Sequence, residues 1–130
     1  MPPPRRLTIA DAKDLPFEEL LDSAYGLMRQ YSVPSENEPV HVRIERLERS
    51  LDELPDIYAW LLQLESWFDH WADLYAAQFN LKSLEYKQMR ERRDAMSKAA
   101  SAAKLRYEGA SRVLTKIMAF EFEPKMPRSR

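Results

Sequence analysis

From Pro55 to Phe122 the chain runs without an internal proline and with one glycine, Gly109. A stretch of that length with no breaker is built for helix. The whole chain of 130 residues holds only two glycines, which leaves almost no material for tight turns, Asn-Gly hairpins or phosphate-cradling loops. The expected fold class is therefore all-α: two short helices packed on the first half of a long carboxy-terminal helix, or helical hairpin, with coiled-coil character.

Three segments are expected. Residues 1–13, proline-rich and basic at Arg5-Arg6, read as a flexible leader. Residues 14–122 read as a single helical domain, and residues 123–130 as a basic flexible tail. Asp14-Leu15-Pro16-Phe17-Glu18-Glu19 combines a capping acid, a proline in the first turn and two further acids, which suit the amide end of a helix. This first helix is predicted over 16–31, with Phe17, Leu20, Leu21, Ala24, Leu27 and Met28 on one face and Gly26 as a mild weakness. A loop over 32–39 leads to a second helix over 39–54, striped by Val40, Ile44, Leu47, Leu51 and Leu54. It is predicted to end before Pro55, with a kink at the proline as the alternative to a break.

The long segment changes character along its length. Between Ile57 and Leu81 two adjacent seams are apolar, with Trp60, Trp67 and Trp71 on one and Leu61, Phe68, Ala72, Tyr75 and Phe79 on the other. So wide an arc can bury against two helices at once, which predicts a three-helix unit centred on the tryptophans. From Tyr86 onward only a narrow heptad seam remains, carried by Tyr86, Met89, Met96, Ala100, Ala103, Tyr107, Leu114 and Ile117, with Arg93 inside it. A projecting seam needs a cover. The chain either folds back near 78–83, where Asn80 and Ser83 begin a new helix, or meets another copy. With no glycine or proline to force a turn there, the sequence reading favours a homo-oligomer with those seam residues as its interface.

The formal net charge of −1 conceals a segregation. From Asp11 to Asp73 there are fifteen acids and five bases, and from Lys82 to Lys116 ten bases and four acids. Lys87, Arg90, Arg92, Arg93, Lys98, Lys104 and Arg106 form the basic stripe that marks a candidate nucleic-acid interface, because cations neutralise phosphates and nearby Tyr86 and Tyr107 offer faces for unpaired bases. The other partner consistent with that stripe is an acidic protein surface. No zinc finger, helix-turn-helix glycine or RNP-like strand is present to read sequence.

Catalysis finds little to work with. The chain has no cysteine, no glycine-rich phosphate loop, no serine elbow and no paired metal motif. His70, between Asp69 and Asp73, is read as a surface or partly buried histidine between tryptophans and His41 as an isolated one. The expectation is a non-enzyme with no cofactor or metal. No run approaches the roughly 18 apolar residues of a membrane span, which gives an expectation of no membrane partner and a cytoplasmic location.

The segment Leu54-Pro55-Asp56-Ile57-Tyr58-Ala59-Trp60-Leu61, running into Leu84-Glu85-Tyr86-Lys87 and the basic, alanine-rich stretch, resembles the bacteriophage recombination-mediator family of the UvsY type over about 52–122. The chain departs from that pattern in its acidic amino-terminal helix pair and in lacking a polar loop between two core helices. The resemblance implies a small all-helical oligomer that binds single-stranded DNA and helps load a recombinase, with the seven basic residues above as the contacts. The alternative is a structural or adaptor protein, such as a virion or assembly component, acting through coiled-coil contacts.

Overall fold

The computed structural model describes residues 9–122 and is all-α. Its elements are α1 (Ile9–Asp14), α2 (Phe17–Arg29), α3 (Val40–Gln78) and α4 (Leu84–Ile117), closed by a π-helical turn at Met118–Phe122. Part of the predicted flexible leader, residues 9–13, is helical, and residues 1–8 lie outside the described residues. Ala12 is fully buried in the core, while the expected basic tail also lies outside the described residues.

Two corrections set the architecture. The predicted second helix and the first half of the long segment are one helix, α3, of 39 residues with Pro55 inside it. It is about 58 Å long at 1.5 Å per residue. Its buried seam explains the continuity: Leu47, Leu54, Ile57, Leu61, Leu64, Phe68 and Ala72, with half-buried Leu51, follow steps of three and four that keep phase across the proline. Pro55 itself is exposed, so its ring sits on the solvent side. Burying one unbroken stripe outweighs the cost of a proline in a helix interior, about 3 kcal/mol.

The second correction concerns the seam after Tyr86. The chain turns back between α3 and α4, and the two helices form a long antiparallel hairpin. Asn80 makes the turn that glycine would otherwise supply, adopting φ 153°, a positive-φ backbone that side-chain-bearing residues seldom take and that local hydrogen bonds hold in place. Its side-chain Oδ1 accepts from the Lys82 amide at 2.7 Å, and its carbonyl accepts from the Ser83 hydroxyl at 2.9 Å. Ser83 then caps α4, its Oγ accepting from the Tyr86 amide at 3.2 Å. Ser83→Ala is expected to cost about 1 kcal/mol, read as a lower midpoint in thermal denaturation followed by circular dichroism; an unchanged midpoint would remove the cap.

The seam therefore meets α3. Met89, Met96, Ala99, Ala100, Ala103, Ala110 and Ile117 are all buried, packed in register along α3. The far end of the hairpin is a separate cluster of Leu47, Ala110 and Ile117 with Val40, Ile44, Leu51, Val113 and Leu114 around it. Of the residues predicted to meet another copy, Met89, Met96, Ala100, Ala103 and Ile117 are thus enclosed within the chain. Tyr86 and Leu114 are half-buried and Tyr107 remains exposed. The run of alanines has its reason here, since small side chains let two long helices approach closely.

α2 completes a three-helix section over the middle of the hairpin, burying Leu20, Ala24 and Met28. Its carboxy-terminal end is tied down by the Tyr31 hydroxyl, which donates to Glu53 of α3. The tryptophans do not share one core as predicted. Trp60 is buried, Trp71 is half-buried and Trp67 is 40% exposed, because α2 covers only the middle of α3 and most of the wide face is filled by α4.

Candidate nucleic-acid interface

The hairpin turns the segregation of charge along the sequence into segregation across the molecule. With the seam of α4 facing α3, its outer side presents Lys87, Lys98, Lys104, Arg112 and Lys116, all exposed. From Lys87 to Lys116 this spans about 44 Å of helix. Glu91, Asp94 and Glu108 are interspersed. The outer side of α3 carries the exposed acids Glu45, Glu48, Asp52, Asp56 and Asp73.

The seven predicted bases divide by what holds them. Arg92 is spent on the fold: its guanidinium donates to the carbonyls of Ala12 at 3.3 Å and Leu15 at 2.5 Å, clamping the α1–α2 corner to α4. Burial lowers its pKa, with Glu91 and Asp14 acting in the opposite direction, and a guanidinium so placed stays charged at neutral pH. Arg93 is engaged too, reaching Asp94 at 2.7 Å and, across the hairpin, Asp69 at 3.3 Å. The Asp94 hydrogen bond is the chief cause raising its pKa.

The other five are differently placed. The Arg90 guanidinium lies 6.0 Å from the centre of the Tyr86 ring, at the edge of cation–π range. Lys87, Lys98 and Lys104 are exposed and Arg106 is half-buried. Among the described residues none of these five forms an ion pair, and neither do Arg112 and Lys116, whereas the ion pairs present all use arginines: Arg46 with Glu38, Arg49 with Glu53, and Arg93. The basic face available to a ligand is therefore Lys87, Arg90, Lys98, Lys104, Arg106, Arg112 and Lys116.

Aromatic residues gather at two places on the hairpin. At the turn end of α3, ring contacts run in series from Trp67 through His70, Trp71 and Tyr75 to Phe79, with centroids 5.8 to 6.5 Å apart. His70 sits exposed between two tryptophan edges. No group of three or more potential metal-ligating side chains gathers among the described residues. Near the middle of the hairpin, a cavity of about 310 Å³ lies between the helices, lined by Leu54, Pro55, Tyr58, Ala103, Lys104 and Tyr107. Sequence reasoning placed Tyr107 in an oligomer seam and passed over Tyr58. The antiparallel register brings them together, and nothing short of knowing where the chain turns would pair residues so far apart in sequence.

No helix among the described residues is long and apolar enough to cross a membrane. Compared with known proteins, the chain matches no family model, no curated protein and no solved structure.

Proposed function

We propose that this protein is a non-catalytic, nucleic-acid-binding helical hairpin that engages single-stranded DNA along the outer face of α4, in recombination or replication of the phage type. The observation that carries this reading is the set of bases on α4 that form no ion pair and outnumber the acids interspersed among them, while the outer side of α3 is predominantly acidic. A row of unpaired cations on a rigid helix is an electrostatic track for a phosphate backbone, and it carries no code for base sequence. The acidic outer face of α3 repels the same backbone and confines it to one side. The resemblance over 52–122 points in the same direction.

Binding of a fluorescent single-stranded oligonucleotide, followed by anisotropy at several salt concentrations, tests it. Neutralising four phosphates gives a slope of log K against log salt of about −3. Lys98→Glu with Lys104→Glu is expected to weaken binding by an order of magnitude or more and to flatten that slope, whereas absence of saturable, salt-sensitive binding would refute the reading.

A second reading, an adaptor that acts by protein contact, is favoured by a different observation. Trp67, Leu74, Phe79, Leu81 and Leu84 are 40 to 66% exposed at the turn end of the hairpin, an apolar grouping of the sort that marks protein-binding surfaces. Self-association belongs to this reading and would use the hairpin tip, since α3 covers most of the seam.

A further inference from the structure

We infer that the cavity between Tyr58 and Tyr107 is a base-capture site, which takes one unstacked nucleobase of the single strand while Lys104 at its mouth holds the adjoining phosphate. The inference rests on the nucleic-acid reading above and adds to it a defined contact for the base.

The cavity exists for identifiable reasons. Ala103 is fully buried and contributes only a methyl group, so the helices approach here without a side chain to fill the space. On the other side, Pro55 lies one turn before Tyr58 on α3 and lines the cavity, and fully buried Leu54 makes the floor. The volume of about 310 Å³ falls at the lower end of small-ligand sites, which run from about 300 to 1,000 Å³. A single flat ring system suits it better than a larger ligand.

Its chemistry fits a base better than a sugar or an ion. Floor and walls are apolar and aromatic, so they desolvate a π-face and offer stacking, which every base can use and which costs no sequence specificity. Neither tyrosine hydroxyl has a hydrogen-bond partner among the described residues, and Tyr107 is 39% exposed, so its ring is free to settle against an entering base. Lys104 is exposed, unpaired and continuous with the basic face. Phosphate and base are thus met on one short stretch of α4, one turn apart, at a point along the track midway between Lys98 and Arg112.

The experiment compares two labelled probes of equal length, oligothymidylate and an abasic oligonucleotide with the same sugar-phosphate backbone, on wild type, Tyr107→Ala and Tyr107→Phe. Wild type is expected to prefer the base-bearing probe by about tenfold, within the range of base–aromatic stacking. Tyr107→Ala is expected to lose that preference while keeping salt-sensitive binding of both probes, and Tyr107→Phe to retain it. Helicity measured by circular dichroism accompanies each variant, and if Tyr107→Ala is unfolded, Tyr107→Leu, which keeps apolar bulk without a π-face, takes its place. Equal binding of the two probes by wild type, or a preference that survives loss of the ring, would overturn the base-capture site and leave the phosphate track standing. Failure of wild type to bind either probe would overturn both.

Discussion

Met96→Asp is expected to destabilise the chain by roughly 3–5 kcal/mol and lower its thermal unfolding midpoint steeply, whereas Lys98→Asp, two residues further on, is expected to shift stability by less than about 0.5 kcal/mol. Met96 is fully buried at the centre of the α3–α4 contact. The nearest cations on α4, Arg92 and Arg93 one turn away, are already engaged by the Ala12 and Leu15 carbonyls and by Asp94 and Asp69, so a carboxylate there is poorly compensated, and an uncompensated buried charge costs roughly 3–5 kcal/mol. Total stability for a domain of this kind is about 5–15 kcal/mol, so one such change removes a large share of it. Lys98 is exposed and unpaired, and reversing its charge disturbs no packing. The same measurement distinguishes a seam closed by α3 from one closed by another copy. When the cover is intramolecular, the wild-type unfolding midpoint does not move with protein concentration; when folding depends on assembly, it does. A midpoint that rises steadily over a hundredfold range of concentration would return the seam to the interface predicted from its heptad.

That seam also shows what the residues disclosed and what they withheld. Helical content and class were legible from the shortage of glycine and the spacing of leucines, and Ser83 was identifiable as a place for α4 to begin. The heptad residues Met89, Met96, Ala100 and Ile117 were correctly read as a face in need of cover, but periodicity describes only one side of a contact. It cannot tell whether α3 or another copy supplies the other side. The decision was made at Asn80, whose positive φ is held by the Lys82 amide and the Ser83 hydroxyl, hydrogen bonds that residue types suggest but do not establish. At the basic stripe the limit was similar. Charge identified Arg92 and Arg93 as candidates together with Lys98 and Lys104, yet Arg92 is engaged by carbonyls of Ala12 and Leu15, about eighty residues away. Backbone acceptors carry no sequence signature, so no reading of residue types separates such a clamp from a free cation.

Pro55→Ala is expected to stabilise the protein by roughly 1–3 kcal/mol, most of the difference between the two residues in a helix interior. The substitution restores an amide that can donate to the Leu51 carbonyl and removes the ring's clash with it, at an exposed position where little else changes. Against this stands the greater conformational freedom of the unfolded chain once the proline is gone, which removes about 0.4–1 kcal/mol of the gain. The sign is the decisive feature. If a helix ended at Leu54 and another began there, as the proline alone suggests, Pro55 would occupy a first-turn position that suits it, with no amide needed, and alanine would lower stability slightly. Chemical denaturation of the two proteins therefore tells one continuous α3 from two abutting helices. A rise in the midpoint at constant m-value supports the continuous helix, and a fall would split it. Because Pro55 also lines the cavity beside Tyr58, the variant carries a second consequence: loss of the ring strips apolar surface from the cleft and is expected to reduce the preference for a base-bearing strand, while the unpaired lysines of α4 continue to hold its phosphates.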